Sequence, residues 1–188
     1  MNKGERTKQK ISRESLKLFV AKGIKETSIK DIAAKTGISE GAMYRHYASK
    51  EMLAKDLFLS NYLRYAERLE SLCKQQHDLK SKISAMVHYF CREFDQDRIL
   101  FSYLLLSRHS ELKKLTGQIK GPVVVVRTQI EQAIKQKEIE NANPEVLTAM
   151  ILGVVLETAQ FILYGRIKET MSELADSLTQ ACWKIAGK

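Results

Sequence analysis

The stretch TSIKDIAAKTGISEGAMYRHYASKEML, from Thr27 to Leu53, decides the fold because its parts predict two short helices joined by a tight turn. Ser28 is suited to the N-cap of the first helix, and Asp31 three residues later completes a capping box. Small Ala33 where the two helices touch, and Gly37 in the turn four residues later, let two short helices cross steeply. Together these features predict a helix-turn-helix.

The second of these helices carries the residues that would read DNA. It begins after an N-cap at Ser39, and Met43 faces the core of the motif. The start of such a helix is shaped to enter a major groove. By spacing alone, an ordinary pair of packed helices remains an alternative. The residues predicted to face outward are Glu40, Gly41, Ala42, Tyr44 and Arg45.

Helical periodicity extends along the rest of the chain, and no convincing alternating strand interrupts it. Asn143-Pro144 and the pair Thr170 and Glu173 are suited to begin the last two helices. The run Val123–Val126 is β-prone in isolation, although it lies within a helical pattern. The sequence therefore predicts an all-α protein of about nine helices. The predicted ranges are 3–22, 28–35, 39–46, 49–74, a helix from 78, 97–108, 122–137, 143–166 and a helix from 170.

Positive charge is concentrated in the first third of the chain. Residues 1–56 hold 13 Lys and Arg against 7 Asp and Glu, whereas the other 132 residues hold 18 against 15. A basic segment attached to a nearly balanced remainder indicates a polyanion-binding module. A solvated basic surface is the alternative interpretation.

Cysteine usage and apolar runs favour a cytoplasmic protein. Cys73, Cys91 and Cys182 are an odd number and widely spaced, which is typical of buried thiols in a reducing compartment. The first twenty residues mix charged and apolar positions, so they do not resemble a signal peptide. The apolar run Val146–Tyr164 is interrupted by polar residues, and we interpret it as a buried helix rather than a membrane span.

The segment Thr27–Leu53, preceded by Phe19 and Gly23, closely resembles the N-terminal DNA-binding domain of the TetR family of bacterial regulators. The resemblance covers roughly the first 55 residues. It implies a three-helix DNA-binding domain with a helix-turn-helix at residues 1–48, followed by a helical-bundle ligand-binding and dimerisation domain at residues 49–188. The matching features are Thr27-Ser28, Ile32-Ala33, Gly37-Ile38-Ser39, Tyr44, His46-Tyr47, Lys50-Glu51 and Leu53.

The resemblance also implies roles for individual residues. Ser28, Tyr44, His46 and Lys50 stand where the family contacts phosphates, which suits their hydroxyl, imidazole and ammonium groups. Base reading would fall to the second helix: Arg45 toward a guanine, Glu40 toward a cytosine amine and the Ala42 methyl toward a thymine methyl. The whole predicted DNA-binding set is Ser28, Lys30, Glu40, Gly41, Ala42, Tyr44, Arg45, His46 and Lys50.

Two polar residues of the motif need a separate interpretation. Tyr47 stands where the family usually has a buried phenylalanine, so we expect it in the core with its hydroxyl at the rim. Thr36 is polar where many helix-turn-helix sequences are apolar, and we expect it at the edge of the small core.

The last two helices predict a dimer. The run Val146–Gly165 is apolar around most of its circumference, so it must be covered on several sides. Pairing both helices with a second copy gives the four-helix interface that the resemblance implies, although burial within one subunit is an alternative. The predicted interface residues are Leu152, Val155, Leu156, Ala159, Leu174 and Leu178, and the predicted ligand-pocket residues are Tyr62, Met86, Phe90, Phe101 and Tyr103.

These interpretations together predict a cytoplasmic, nucleoid-associated repressor. It would bind double-stranded, palindromic operator DNA as a homodimer and be released by an unidentified small-molecule effector. The alternative is a DNA-anchored interaction protein controlled by a protein partner. No enzymatic motif was found, so no catalytic residue is assigned. His88 and Cys91 lie one turn apart without a third ligand, so no metal site is expected. No cofactor and no membrane partner are expected.

Overall fold

The computed structural model describes residues 3–114 and 119–187, without the side chains of residues 3 and 108–114. Over those residues the chain is helical with no strand, which confirms the all-α prediction. The helices are α1 (Lys3–Glu26), α2 (Ile29–Thr36), α3 (Glu40–His46), α4 (Lys50–Cys73), α5 (Leu79–Gln96), α6 (Arg98–Lys114), α7 (Pro122–Lys135), α8 (Pro144–Leu163) and α9 (Met171–Ala186).

The chain divides into two compact units. Unit 1 consists of residues 1–61 and 99–116, and unit 2 consists of residues 62–98 and 117–188. The boundary at residue 61 falls inside α4, so this helix contributes its first half to unit 1 and its second half to unit 2. The boundary predicted after residue 48 separates a DNA-binding domain from a ligand-binding and dimerisation domain. Compactness does not test it, and it stays a prediction.

Unit 1 is built around α1, α2, α3, the first half of α4 and α6. Its core includes Ile11, Phe19 and Phe58, each no more than 3% exposed. Gly23 interrupts α1 with a φ of 85°, the left-handed region that glycine tolerates at little cost. The predicted end of the first helix at residue 22 is therefore a kink, after which one further turn continues to Glu26.

Unit 2 packs α5 against α9 and α7, and packs α8 against α7 and α9. Asn143 caps α8 with its side-chain oxygen, and Thr170 and Glu173 form the predicted capping box of α9. The β-prone run Val123–Val126 is helical because Val125 and Val126 are buried on one side of α7. Packing thus overrides the local preference of these β-branched residues.

α8 has the length and composition of a membrane-spanning helix, a property that core helices of other proteins share. One face of α8 is buried in unit 2 and includes Ile151, Val155 and Ala159. Its other face leaves Val146 and Met150 about half exposed. The three cysteines are buried and free, as the sequence predicts.

Candidate DNA-binding surface

The capping box of α2 fixes the start of the helix-turn-helix. The Ser28 hydroxyl accepts a hydrogen bond from the Asp31 backbone N–H at 3.1 Å, and the Asp31 carboxylate accepts one from the Ser28 N–H at 2.8 Å. The Lys22 ammonium also donates to the Asp31 carboxylate at 2.8 Å. This bond, with those from Ser28, holds the pKa of Asp31 well below its ordinary value of 3.8. The start of α2 is therefore tied to the end of α1.

The turn between α2 and α3 has the predicted geometry. Gly37 adopts a φ of 68°, and its N–H donates to the carbonyl oxygen of Ala33. Thr36 is 2% exposed, so it lies inside the core and not at its edge as expected. Its hydroxyl donates to the carbonyl oxygens of Ile32 and Ala33 at 2.7 and 3.1 Å. The helix itself therefore satisfies this polar group, which explains why the core tolerates it.

α3 presents its polar face to solvent. The Ser39 hydroxyl caps the helix by accepting from the Ala42 N–H at 3.2 Å, and Met43 is fully buried beneath it. Tyr44 is 55% exposed, although an aromatic ring of this size is usually covered. A β-carbon added at Gly41 would meet no atom within 4 Å, so a double helix can approach the backbone there. Of the other predicted contact residues on α3, three are exposed, namely Glu40, Arg45 and His46, and Ala42 is half-buried.

Lys50 connects the start of α4 to the loop before α2. Its ammonium donates to the backbone carbonyl oxygens of Lys25 and Thr27 at 2.6 and 2.8 Å. An ammonium has three donors, so one remains for a phosphate. The side chain of Lys50 borders an open groove together with the predicted contact residues Ser28, Lys30, Glu40 and Tyr44.

The same groove contains residues that the sequence reading missed. Lys25, Glu26, Thr27 and Ile29 line it beside the predicted set. Lys25 adds a third lysine to the lining, against the two carboxylates of Glu26 and Glu40, so the groove keeps a surplus of positive charge. The only sequence signal for Lys25 was its position three residues before the Ser28 cap. In the structure Lys25 lies in the last turn of α1, after the kink at Gly23.

Tyr47 occupies the predicted core position. It is 7% exposed, and its hydroxyl donates to the Asp56 carboxylate at 3.0 Å. Burial, and then this hydrogen bond, raise the pKa of Tyr47 to about 12. Tyr47 is therefore a neutral core residue whose hydroxyl joins the end of α3 to α4.

The predicted pocket residues fall into both units. Tyr62, Met86 and Phe90 belong to unit 2, whereas Phe101 and Tyr103 belong to unit 1. Tyr103 is 2% exposed, stacks on Phe19 and donates its hydroxyl to the carbonyl oxygen of Ala54 at 2.6 Å. Tyr103 is therefore packed in the core of unit 1, and its assignment to a ligand pocket stays a prediction. The helical spacing of aromatic residues indicates that they are buried, but it does not identify the residues that pack against them.

The predicted interface residues also divide into two groups. Val155, Ala159 and Leu178 are at most 7% exposed within one chain, so each already packs in the core of that chain, and their role in an interface stays a prediction. Leu152, Leu156 and Leu174 keep part of their surface exposed and stay predicted interface residues. The reason is that α8 and α9 bury one face against each other, as the single-subunit alternative required.

Known proteins resemble the segment that carries this surface. Residues 11–57 match the family described as bacterial regulatory proteins, tetR family. The fatty acid metabolism regulator protein of Bacillus subtilis is 23% identical over 172 residues, which is 88% of each chain. The matched segment contains the helix-turn-helix, its caps and the start of α4.

Solved structures share the fold. The transcriptional regulator FadR from Bacillus subtilis, solved in complex with stearoyl-CoA, has a TM-score of 0.80 at 19% identity, covering 93% of this chain and 96% of that one. The fatty acid degradation regulator FadR from Bacillus halodurans has a TM-score of 0.82 at 17% identity, covering 97% and 96%. Residues 11–57 therefore form a DNA-binding segment of the tetR family, and the chain as a whole has the fold of solved TetR-family regulators.

Proposed function

We propose that this regulator is a repressor that binds a palindromic operator as a homodimer. The observation that carries the proposal is the exposed face of α3, presented by a capped helix-turn-helix beside a groove with three lysines. A helix of this kind reads bases, while lysines and hydroxyls hold phosphates. The protein then acts by occupying DNA and not by catalysis, in the cytoplasm at the nucleoid.

The roles within the surface follow from the chemistry of each group. Arg45 is proposed to read a guanine, Glu40 a cytosine and Ala42 a thymine methyl. Ser28, Tyr44, His46 and Lys50 are proposed to hold phosphates, with Lys30 and Lys25 adding positive charge. Gly41 leaves the backbone accessible to the DNA.

The dimer proposal rests on the exposed apolar surface of α8. Val146 and Met150 are 48% and 51% exposed, which is unusual for apolar side chains on so apolar a helix. With Leu152 and Leu156 they provide surface for a second copy. A two-fold dimer holds two reading helices about one turn of DNA apart, roughly 34–36 Å, which a palindrome requires.

The effector that we propose is a long-chain fatty acyl-CoA. Support comes from the relative that regulates fatty acid metabolism and from the similar structure that holds stearoyl-CoA. In unit 2, Met86 and Phe90 provide buried apolar surface of the kind that an acyl chain needs, and Tyr62 belongs to the same unit.

Two measurements test this function. Selection from random double-stranded DNA is expected to yield one palindromic sequence, and a palmitoyl-CoA titration is expected to release the protein from it. Recovery of no common sequence would contradict operator binding. Release by neither acyl-CoA nor other metabolites, with the operator still bound, would favour control by a protein partner.

A further inference from the structure

A lysine-lined cleft of about 320 Å³ lies within unit 2. It is bordered by the last turn of α4, by α5 and by α7, and we call it the lysine cleft. Its charged residues are Lys74, Lys82, Lys120 and Glu70. Its volume is at the small end of ligand pockets, which span about 300–1,000 Å³.

Gln129 is the second observation that points to a ligand. It lies on α7, is 9% exposed and lines the cleft. Its side chain makes no hydrogen bond to another described residue. Its amide is not among the fully buried polar atoms that lack a partner, so the amide stays accessible from the cleft. A bound molecule in the cleft can therefore accept a hydrogen bond from the amide N–H₂ group.

The charges of the cleft do not cancel. The Lys120 ammonium donates to both carboxylate oxygens of Glu70 at 3.0 Å, and the Lys74 ammonium lies 3.8 Å from one of them. The hydrogen bond from Lys120 lowers the pKa of Glu70, so the carboxylate stays charged. Lys82 is half-buried and has no carboxylate partner among the described residues. Three cations against one anion leave a surplus of two positive charges.

The buried cysteine that lines the cleft carries no negative charge that would repel an anion. Cys73 lines it and is 3% exposed. Burial raises the pKa of its thiol to about 11, so the sulfur is protonated and neutral at physiological pH.

We propose that the lysine cleft binds a phosphate group of a small metabolite. A phosphate monoester carries about −1.5 to −2 charges at pH 7, which matches the surplus. Lysine binds phosphate as a point charge, and the Gln129 amide donates to a phosphate oxygen. The phosphate either belongs to a free phosphorylated metabolite or to the coenzyme A part of the effector, in which case the inference rests on the proposed function.

Isothermal titration calorimetry of the full chain with pyrophosphate, in a buffer without phosphate, tests the site. We expect one saturable site per chain and at least a tenfold loss of affinity in Lys82→Gln and in Gln129→Leu. Lys135→Gln removes an exposed charge from the same helix as Gln129, outside the cleft, and is expected to bind as the wild type does. Gln129→Leu is expected to keep or raise the unfolding temperature, because the amide it removes has no partner to lose.

Absence of saturable pyrophosphate binding would overturn the proposal, as would equal affinities in wild type, Lys82→Gln and Gln129→Leu. Tighter binding of malonate, a dicarboxylate, would overturn the assignment to phosphate. Free coenzyme A distinguishes the two sources. If it binds more tightly than pyrophosphate and both variants weaken it, the phosphate belongs to coenzyme A. If pyrophosphate binds and coenzyme A does not, the ligand is a separate metabolite, and the proposal holds even where the acyl-CoA effector fails.

Discussion

The Lys50 ammonium donates a 2.8 Å hydrogen bond to the backbone carbonyl oxygen of Thr27, which immediately precedes the Ser28 cap of α2. A second bond reaches the carbonyl of Lys25. Lys50 therefore orders the loop that carries part of the proposed phosphate contacts, in addition to offering its own charge. Lys50 was expected only to contact DNA, but its hydrogen bonds also hold the segment before α2 in place.

Lys50→Ala is expected to weaken binding to operator and random DNA alike. Removing one phosphate contact reduces the slope of log K against log salt by about one. Fluorescence anisotropy across a potassium chloride series measures both effects, and thermal unfolding measures the loss of the loop contacts. Lys55→Ala, an exposed lysine on the same helix outside the groove, is the control. An unchanged salt slope would assign Lys50 to the loop alone.

Arg45→Ala is expected to relax preference at one base position and to cost about 1–3 kcal/mol on the best site if the contact is bidentate. Competitive binding to operators altered one base pair at a time measures this. Lys35→Ala, an exposed cation on α2 outside the groove, is the control for charge. Equal weakening on every sequence would mean that Arg45 contacts a phosphate and not a base.

Asp31 is expected to make unit 1 sensitive to acid. Its folded pKa is depressed below 3.8 by Lys22 and Ser28, so its stabilising effect is present above that pH and is lost as the pH falls toward the folded value. The difference in unfolding temperature between wild type and Asp31→Asn should therefore be constant above about pH 5 and shrink below pH 4. Glu51→Gln, at an exposed position of the same unit, is the control. A difference that does not change between pH 3 and pH 6 would contradict this role.

Local signals predicted the elements well. The caps at Ser28, Asn143 and Thr170 and the turn at Gly37 follow from side chains that bond to backbone within four residues, so sequence alone determines them. The stacking of Tyr103 on Phe19 could not be predicted, because the packing of an aromatic residue depends on elements distant in sequence. Burial of Val155, Ala159 and Leu178 within one chain depends on such distant elements too.

The lysine cleft could not be predicted from the sequence. Glu70, Lys82, Lys120 and Gln129 are spread over about sixty residues, and each has an ordinary sequence context. Only the packing of α4, α5 and α7 brings them together. No periodicity or motif encodes such an arrangement, whereas the helix-turn-helix is contained in a single segment of 27 residues, Thr27–Leu53.

Leu156→Lys is expected to convert a dimer into a folded monomer. Leu156 is only partly exposed in one chain, so in a dimer its charged replacement would be buried without a partner, at a cost of several kcal/mol. Sedimentation equilibrium measures the mass and circular dichroism the fold. Val155→Lys is the contrasting variant: it is 6% exposed within the chain and should unfold the protein. A wild-type monomer in dilute solution would contradict the interface.

The final prediction concerns coupling between effector and operator. α4 contributes residues to both compact units, so a ligand that alters its second half can alter the equilibrium of the first. Favouring the non-binding state by about 3 kcal/mol reduces operator affinity roughly a hundredfold, since each 1.4 kcal/mol is tenfold. Linkage then requires operator DNA to weaken effector binding by the same factor. Titration of palmitoyl-CoA into free protein and into the operator complex measures both affinities. Arg45→Ala serves as the matched control, because it should change DNA affinity while leaving effector affinity in free protein unchanged. Equal effector affinity with and without operator would mean that palmitoyl-CoA does not drive the switch, whatever its affinity.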